Sequence, residues 1–274
     1  MDNDDLPVGR ILNRREILSL MGITGAAVLA ACVAESVPTT PPATSAATAA
    51  EAATAEATAA ASEAAVAATT APVCVVRPEL TEGPFFFDLG LDRSDIRTDA
   101  ASGSEKAGRR LDLAVVVSGV DSSGCLPLEG AVVDVWQCDA DGVYSGTGGA
   151  SAESFLRGYQ ETDASGRAGF TTIYPGWYPG RSVHIHFKIR VPNGSNGIYE
   201  FTSQFFFDDD FSVQVYTEPP YDVRGTQNTL NSQDGIYGNG GSQLVLFPTE
   251  NGEGLAAEFG IALDLTDAVV GAQD

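Results

Sequence analysis

A chain of 274 residues with 15 Lys and Arg against 37 Asp and Glu carries a formal net charge of −22 at pH 7. That field repels nucleic acid and anionic membrane surfaces and excludes a polyanionic partner. With two histidines and four cysteines in all, chemistry of either type must rest on very few positions.

The first predicted element is a targeting segment, LNRREILSLMGITGAAVLAAC from Leu12 to Cys32. A twin-arginine pair, Arg14-Arg15, precedes an apolar run with small residues and then Leu29-Ala30-Ala31-Cys32. A basic start, a short apolar stretch and a small-residue cleavage site describe a signal peptide, here of the twin-arginine export type. A spanning anchor is disfavoured, because Ile17 to Ala31 is 15 residues and a membrane helix needs roughly 20. The ending is similar to a lipobox, which makes Cys32 the expected lipidated first residue of a mature protein. An Ala/Thr/Pro/Ser/Glu tract follows, with almost nothing to bury, and it is expected to act as a stalk; if flexible it reaches roughly 35 Å. The expected organisation is therefore a signal at 1–32, a linker at 33–72 and one domain at 73–274.

The domain holds 12 Lys and Arg against 29 Asp and Glu, and its length suffices for one well-buried core. Strands are predicted at Leu111–Val120, Ala131–Gln137, Phe170–Ile173, Val183–Val191, Tyr199–Phe207, Leu244–Phe247 and Ile261–Leu265. The turns DSSG, DADG and TDASGRAGF punctuate them, and no long amphipathic helix interrupts them. Short β-rich runs at this spacing predict an all-β sandwich with long loops and little helix. Asp208–Gly241, rich in Asp, Gly, Asn and Pro, is expected to be an excursion loop.

Three cysteines fall in the domain. Cys125 and Cys138 flank a predicted strand of roughly 25 Å extended length, which keeps them apart. The expected pair is Cys74–Cys125, allowed in an exported protein, with Cys138 free.

Both histidines lie in YPGWYPGRSVHIHFKI. On a strand, residues i and i+2 share a face, so His184 and His186 project together, opposite Val183, Ile185 and Phe187. Side-by-side imidazoles form a bidentate metal platform. Zinc, or ferrous iron with one carboxylate, fits two histidines. Two tyrosines also stand near, Tyr178 six positions upstream and Tyr144 just past the end of VVDVWQC. Phenolate is a hard donor suited to ferric iron, and a phenol with a free pKa of about 10 needs a highly charged cation to ionise near neutrality. Tyr159 and Tyr174 read as ordinary packing residues.

LTEGPFFFD, GAVVDVWQCDADGVYSG, RGYQETDASGRAGFTTIYPGWYPGRSVHIHFKI and TSQFFF, in that order, together resemble the intradiol ring-cleavage dioxygenases. The likeness is to the catechol and protocatechuate class, and most of all to its secreted single-domain members. The resemblance implies a ferric iron held by Tyr144, Tyr178, His184 and His186, with Tyr178 leaving the metal as a diol chelates and Tyr144 remaining. It implies Arg181 and Gln204 beside the substrate. By its chemistry Arg181 is a fixed cation able to stabilise charge developing on an aromatic oxygen. The activity implied is insertion of dioxygen between the two hydroxylated carbons of a catechol-type ring, giving a muconate-type diacid. Two departures stand out: the six-residue step from Tyr178 to His184 is shorter than in the cytoplasmic enzymes, and the helical segment through which catechol dioxygenases dimerise is missing. PLEGAVVDVW with TDASGRAGFTTIYPGWY also resembles transthyretin-like and carboxypeptidase-regulatory sandwiches, which are binding modules without catalysis. That second likeness gives no reason for the histidine pair or for the tyrosines.

Overall fold

A computed structural model describes residues 74–121, 124–192, 197–252 and 254–266. The expected signal, the expected linker and Cys32 lie outside the described residues.

In chain order the strands are β1 (Arg110–Asp121), β2 (Gly124–Pro127), β3 (Val132–Trp136), β4 (Arg157–Glu161), β5 (Arg167–Ile173), β6 (His184–Pro192), β7 (Ile198–Phe207), β8 (Val245–Leu246), β9 (Thr249–Asn251) and β10 (Gly254–Leu263). They form two five-stranded sheets. The first runs β2-β1-β10-β9, with β5 also paired to β1. One edge of β1 is taken by β10 along Leu111–Gly119, so β5 and β2 share the other edge end to end. The second sheet runs β4-β3-β6-β7-β8.

The expected sandwich is the observed architecture. The strand boundaries agree within a residue or two for β1, β3, β6 and β7. The last strand differs: β10 begins at Gly254, well before the expected Ile261. GLAAEFG has no β-branched residue, and its strand character comes from parallel pairing with β1. Asp208–Gly241 is an excursion as expected, but it contains α1 (Asp209–Val215) and α2 (Gly235–Gly238).

The core lies between the sheets. Leu111, Leu113, Val115 and Val117 of β1 meet Val133, Val135, Ile185, Phe187, Ile189 and Phe205 of the second sheet. Phe187 stacks on Phe205 with centroids 4.0 Å apart, and Phe205 meets Phe259 at 4.9 Å. Each such buried side chain contributes about 1.5–3 kcal/mol. This apolar interior leaves the opposite face of β6 free to carry polar groups.

The TDASG turn before β5 is built as its residues require. Asp163 Oδ1 accepts from Ser165 N, Ser165 Oγ and Arg167 N. Gly166 sits at φ +76°, where an added Cβ would lie 2.2 Å from Val117 O. Only glycine combines that conformation with that approach.

Cys74 and Cys125 are joined by a disulfide across a separation of 51 residues, while Cys138 is free and buried. The bond ties the first described residue to β2. Closing a loop of that length contributes about 3–5 kcal/mol through the unfolded state. Cys74→Ser together with Cys125→Ser is expected to lower the guanidinium midpoint accordingly, with the slope read alongside to detect a change in the denatured state. An unchanged midpoint would count against the stabilising role.

Candidate metal centre

Strand register sets the site. Trp136 of β3 and Gln204 of β7 lie directly across from His186 of β6, and Phe206 lies across from His184. Directly opposed residues share a face. His184, His186, Trp136, Gln204 and Phe206 therefore stand together on the side of the sheet away from the sandwich interior. Trp136 stacks on the His186 ring at 5.0 Å and 10°.

Two turns bring the tyrosines. The turn after β3 is shaped by Asp139, whose Oδ1 accepts from Asp141 N and Val143 N. Tyr144 leaves it at once, its carbonyl accepting from Thr147 Oγ1 at 2.8 Å. Arg157 is buried and donates to Phe85 O and Ser145 O, both at 2.5 Å, and to Ser145 Oγ at 2.8 Å. It thereby ties the Phe85 segment to the residue after Tyr144, and the Phe85 ring stacks on the Tyr144 ring at 4.3 Å. Tyr178 lies on the turn before β6. Trp177 Nε1 donates to Gly225 O, Trp177 O accepts from Arg224 Nη1, and Gly180 N donates to Thr229 Oγ1. Gly176 N donates to Asp139 O at 3.2 Å, joining the two tyrosine turns.

The four side chains meet at one buried point. His184 Nε2 is 3.3 Å from Tyr144 Oη, 3.2 Å from Tyr178 Oη and 3.1 Å from His186 Nε2. Its Nδ1 is 2.6 Å from Ser182 O. A carbonyl only accepts, so Nδ1 carries the proton and Nε2 presents a lone pair. That single lone pair faces three atoms and can satisfy one donor. A small cation among the four atoms would instead take a lone pair from each. Separations of 3.1–3.3 Å suit atoms sharing a cation with bonds of about 2 Å. Among the described residues no third histidine, cysteine or carboxylate joins the pair, so the donor set is two nitrogens and two phenol oxygens.

Electrostatics point the same way. Burial, with Tyr178 adding to it, pushes the Tyr144 phenol well above its ordinary range. Burial likewise pushes Tyr178 up to about 12, against the pull of Arg181. Burial holds His184 at about 3 and, with His184 beside it, takes His186 well below the usual imidazole value. Both imidazoles are neutral and ready to coordinate. The two phenols ionise there only beside a strong positive charge. The residues present fit a hard, highly charged cation.

Arg181 Nη2 donates to Gln204 Oε1 at 2.5 Å, and Gln204 Nε2 donates to Thr81 O at 2.9 Å. Arg181 and Gln204 are thus in direct contact beside the histidines. Three neighbours escaped sequence reasoning. Trp136 and Phe85 carry only the signal of apolar residues, and strand pairing places the first of them. Gly83, at φ +71°, passes so close that an added Cβ would lie 3.3 Å from His186 Cε1. Trp136 Nε1 and His186 Nδ1 are buried and have no protein partner among the described residues.

The chain is thus an all-β sandwich that carries the two histidines and two tyrosines on the outer face of one sheet. A family model described as Dioxygenase matches residues 81–219. The protocatechuate 3,4-dioxygenase beta chain of Burkholderia cepacia is 32% identical over 193 residues, 66% of this chain and 75% of its own length. An intradiol ring-cleavage dioxygenase from Tetranychus urticae is similar in structure, with TM-score 0.60 and 28% identity, covering 70% of this chain and 96% of that one. The dioxygenase domain of a dioxygenase carbohydrate-binding protein fusion from Streptomyces sp. SirexAA-E gives TM-score 0.51 and 29% identity, over 70% of this chain and all 100% of that one. This chain belongs to the intradiol ring-cleavage dioxygenase family and is an oxidoreductase of the dioxygenase type.

Proposed function

We propose that this protein binds ferric iron through Tyr144, Tyr178, His184 and His186. With it the protein cleaves catechol-type diols between their two hydroxylated carbons, using dioxygen, to muconate-type diacids. The observation that carries the reading is the convergence of two phenol oxygens and two imidazole nitrogens on one buried point beside Arg181. Ferric iron, when bound, supplies the Lewis acidity that lowers the diol pKa values and the electron path to dioxygen.

The chain's own residues divide the remaining work. Tyr178 is the more exposed of the two tyrosines, so its Oη is placed to take a diol proton and swing toward solvent. Tyr144, buried and clamped under Phe85, keeps its position. The Arg181 guanidinium, held by Gln204, faces the negative charge that develops on the ring oxygens. Trp136, stacked on His186, and Phe85, stacked on Tyr144, hold those two rings in place and shield them from water.

Purified protein reconstituted with ferric iron is expected to consume dioxygen with at least one member of a panel spanning catechol, hydroxyquinol, protocatechuate and substituted diols. Product spectra should be those of ring-opened diacids. Absence of both iron binding and oxygen uptake across the panel would favour a non-catalytic sandwich module.

We also propose export by the twin-arginine route and lipid attachment at Cys32. That route carries folded proteins, so iron can be inserted before export, and the Ala/Thr stalk would hold the enzyme off the membrane surface. Cys32→Ser is expected to move the protein from the membrane fraction to the soluble one; persistence in the membrane would exclude lipidation there.

A further inference from the structure

Asp234 lies in the excursion that follows β7, far along the chain from the histidines, and its side chain is buried. Its Oδ2 accepts from Arg181 Nε, from Ser182 N and from Ser182 Oγ, each at 2.9 Å. Its Oδ1 accepts from Ile236 N at 2.8 Å and Tyr237 N at 3.3 Å, capping α2. One oxygen thus serves the helix and the other serves the site.

The two residues gripped by Oδ2 are those through which the approach to β6 touches the chemistry. Arg181 turns its other end to Gln204 Oε1. Ser182 offers its carbonyl to His184 Nδ1 at 2.6 Å. A free arginine samples many rotamers, and a planar guanidinium held at one edge loses that freedom before substrate arrives. A carbonyl held at a fixed angle selects the imidazole tautomer that leaves Nε2 bare.

We infer that Asp234 is a positioning residue for both halves of the site, aiming Arg181 toward the substrate and fixing the tautomer of His184. The inference rests on the proposed function and adds to it a member that the family-like motifs do not contain.

The test compares Asp234→Asn, Arg181→Gln, their double variant and the parent protein, each loaded with ferric iron and rated per bound iron. Asp234→Asn is expected to lower kcat/KM by about 10- to 100-fold. In the Arg181→Gln background the same change should cost less, because the part of its effect that runs through the Arg181 contact is already lost. A second readout uses protein without metal. With two histidines in the chain, the imidazole 15N spectrum resolves His184, expected as the Nδ1-protonated tautomer in the parent and as a mixture in Asp234→Asn. Should the Asn variant not fold, Asp234→Ser retains a capping oxygen for α2 but cannot reach Arg181, and the same shifts are expected of it. Unchanged kcat/KM per iron with an unchanged tautomer would reduce Asp234 to a helix cap. An equal loss in the Arg181→Gln background would overturn its action through Arg181. If the iron-loaded parent cleaves no diol, the proposed function fails, and the metal-free spectra still decide whether Asp234 holds His184.

Discussion

His184→Ala protein is expected to purify without iron. His184 Nε2 is the atom that the other three site atoms surround, at 3.1–3.3 Å. Without it His186 is a single neutral nitrogen beside two phenols that burial keeps protonated. A protonated phenol is a poor ligand, and ionising it in a buried site without a bound cation is costly. Losing one donor therefore weakens the hold of the remaining three. Outer contacts of metal ligands commonly account for 10- to 100-fold in affinity, so loss of this central ligand should cost about 100-fold or more. Total iron and a ferric titration monitored by competition with a chelator measure it. The substitution spares the interior, since Ile185 and Phe187 on the opposite face make the core contacts, and the far-ultraviolet spectrum should be unchanged. Full iron content in this variant would remove His184 from the proposed ligand set.

Tyr144→Phe tests the other half of the donor set with a smaller perturbation. It deletes one oxygen and retains the ring that Phe85 stacks upon. The iron-loaded parent is expected to show a visible tyrosinate-to-ferric charge-transfer band with contributions from Tyr144 and Tyr178. Tyr144→Phe should weaken and shift that band, leaving the Tyr178 part, and activity should fall by about tenfold or more. A colourless iron-loaded parent would sink the two-tyrosinate assignment. A band unchanged by Tyr144→Phe would exclude Tyr144 alone.

Alternation along VHIHF already placed His184 and His186 on one face, because a strand repeats every two residues whatever it pairs with. The β-branched runs and the TDASG turn announced β1, β3, β5 and β6 for the same local reason. β10 was announced only in its last residues, since an Ala/Gly-rich stretch takes its strand character from the partner. Arg181 stood out through its place between Tyr178 and His184. Asp234 had no such mark, being one acid among many in a loop rich in them.

By itself, the sequence determined the sandwich class and the shared face of the two histidines, because each depends on short-range periodicity; the four candidate donors came together as a set only through the family resemblance. Only the tertiary structure decided that Tyr144, Tyr178 and His186 come within 3.3 Å of His184 Nε2. Only it set Gln204 and Trp136 across from His186, and Asp234 behind Arg181. Strand register and the path of a long excursion are settled by packing between distant segments, and no local pattern in the chain encodes them.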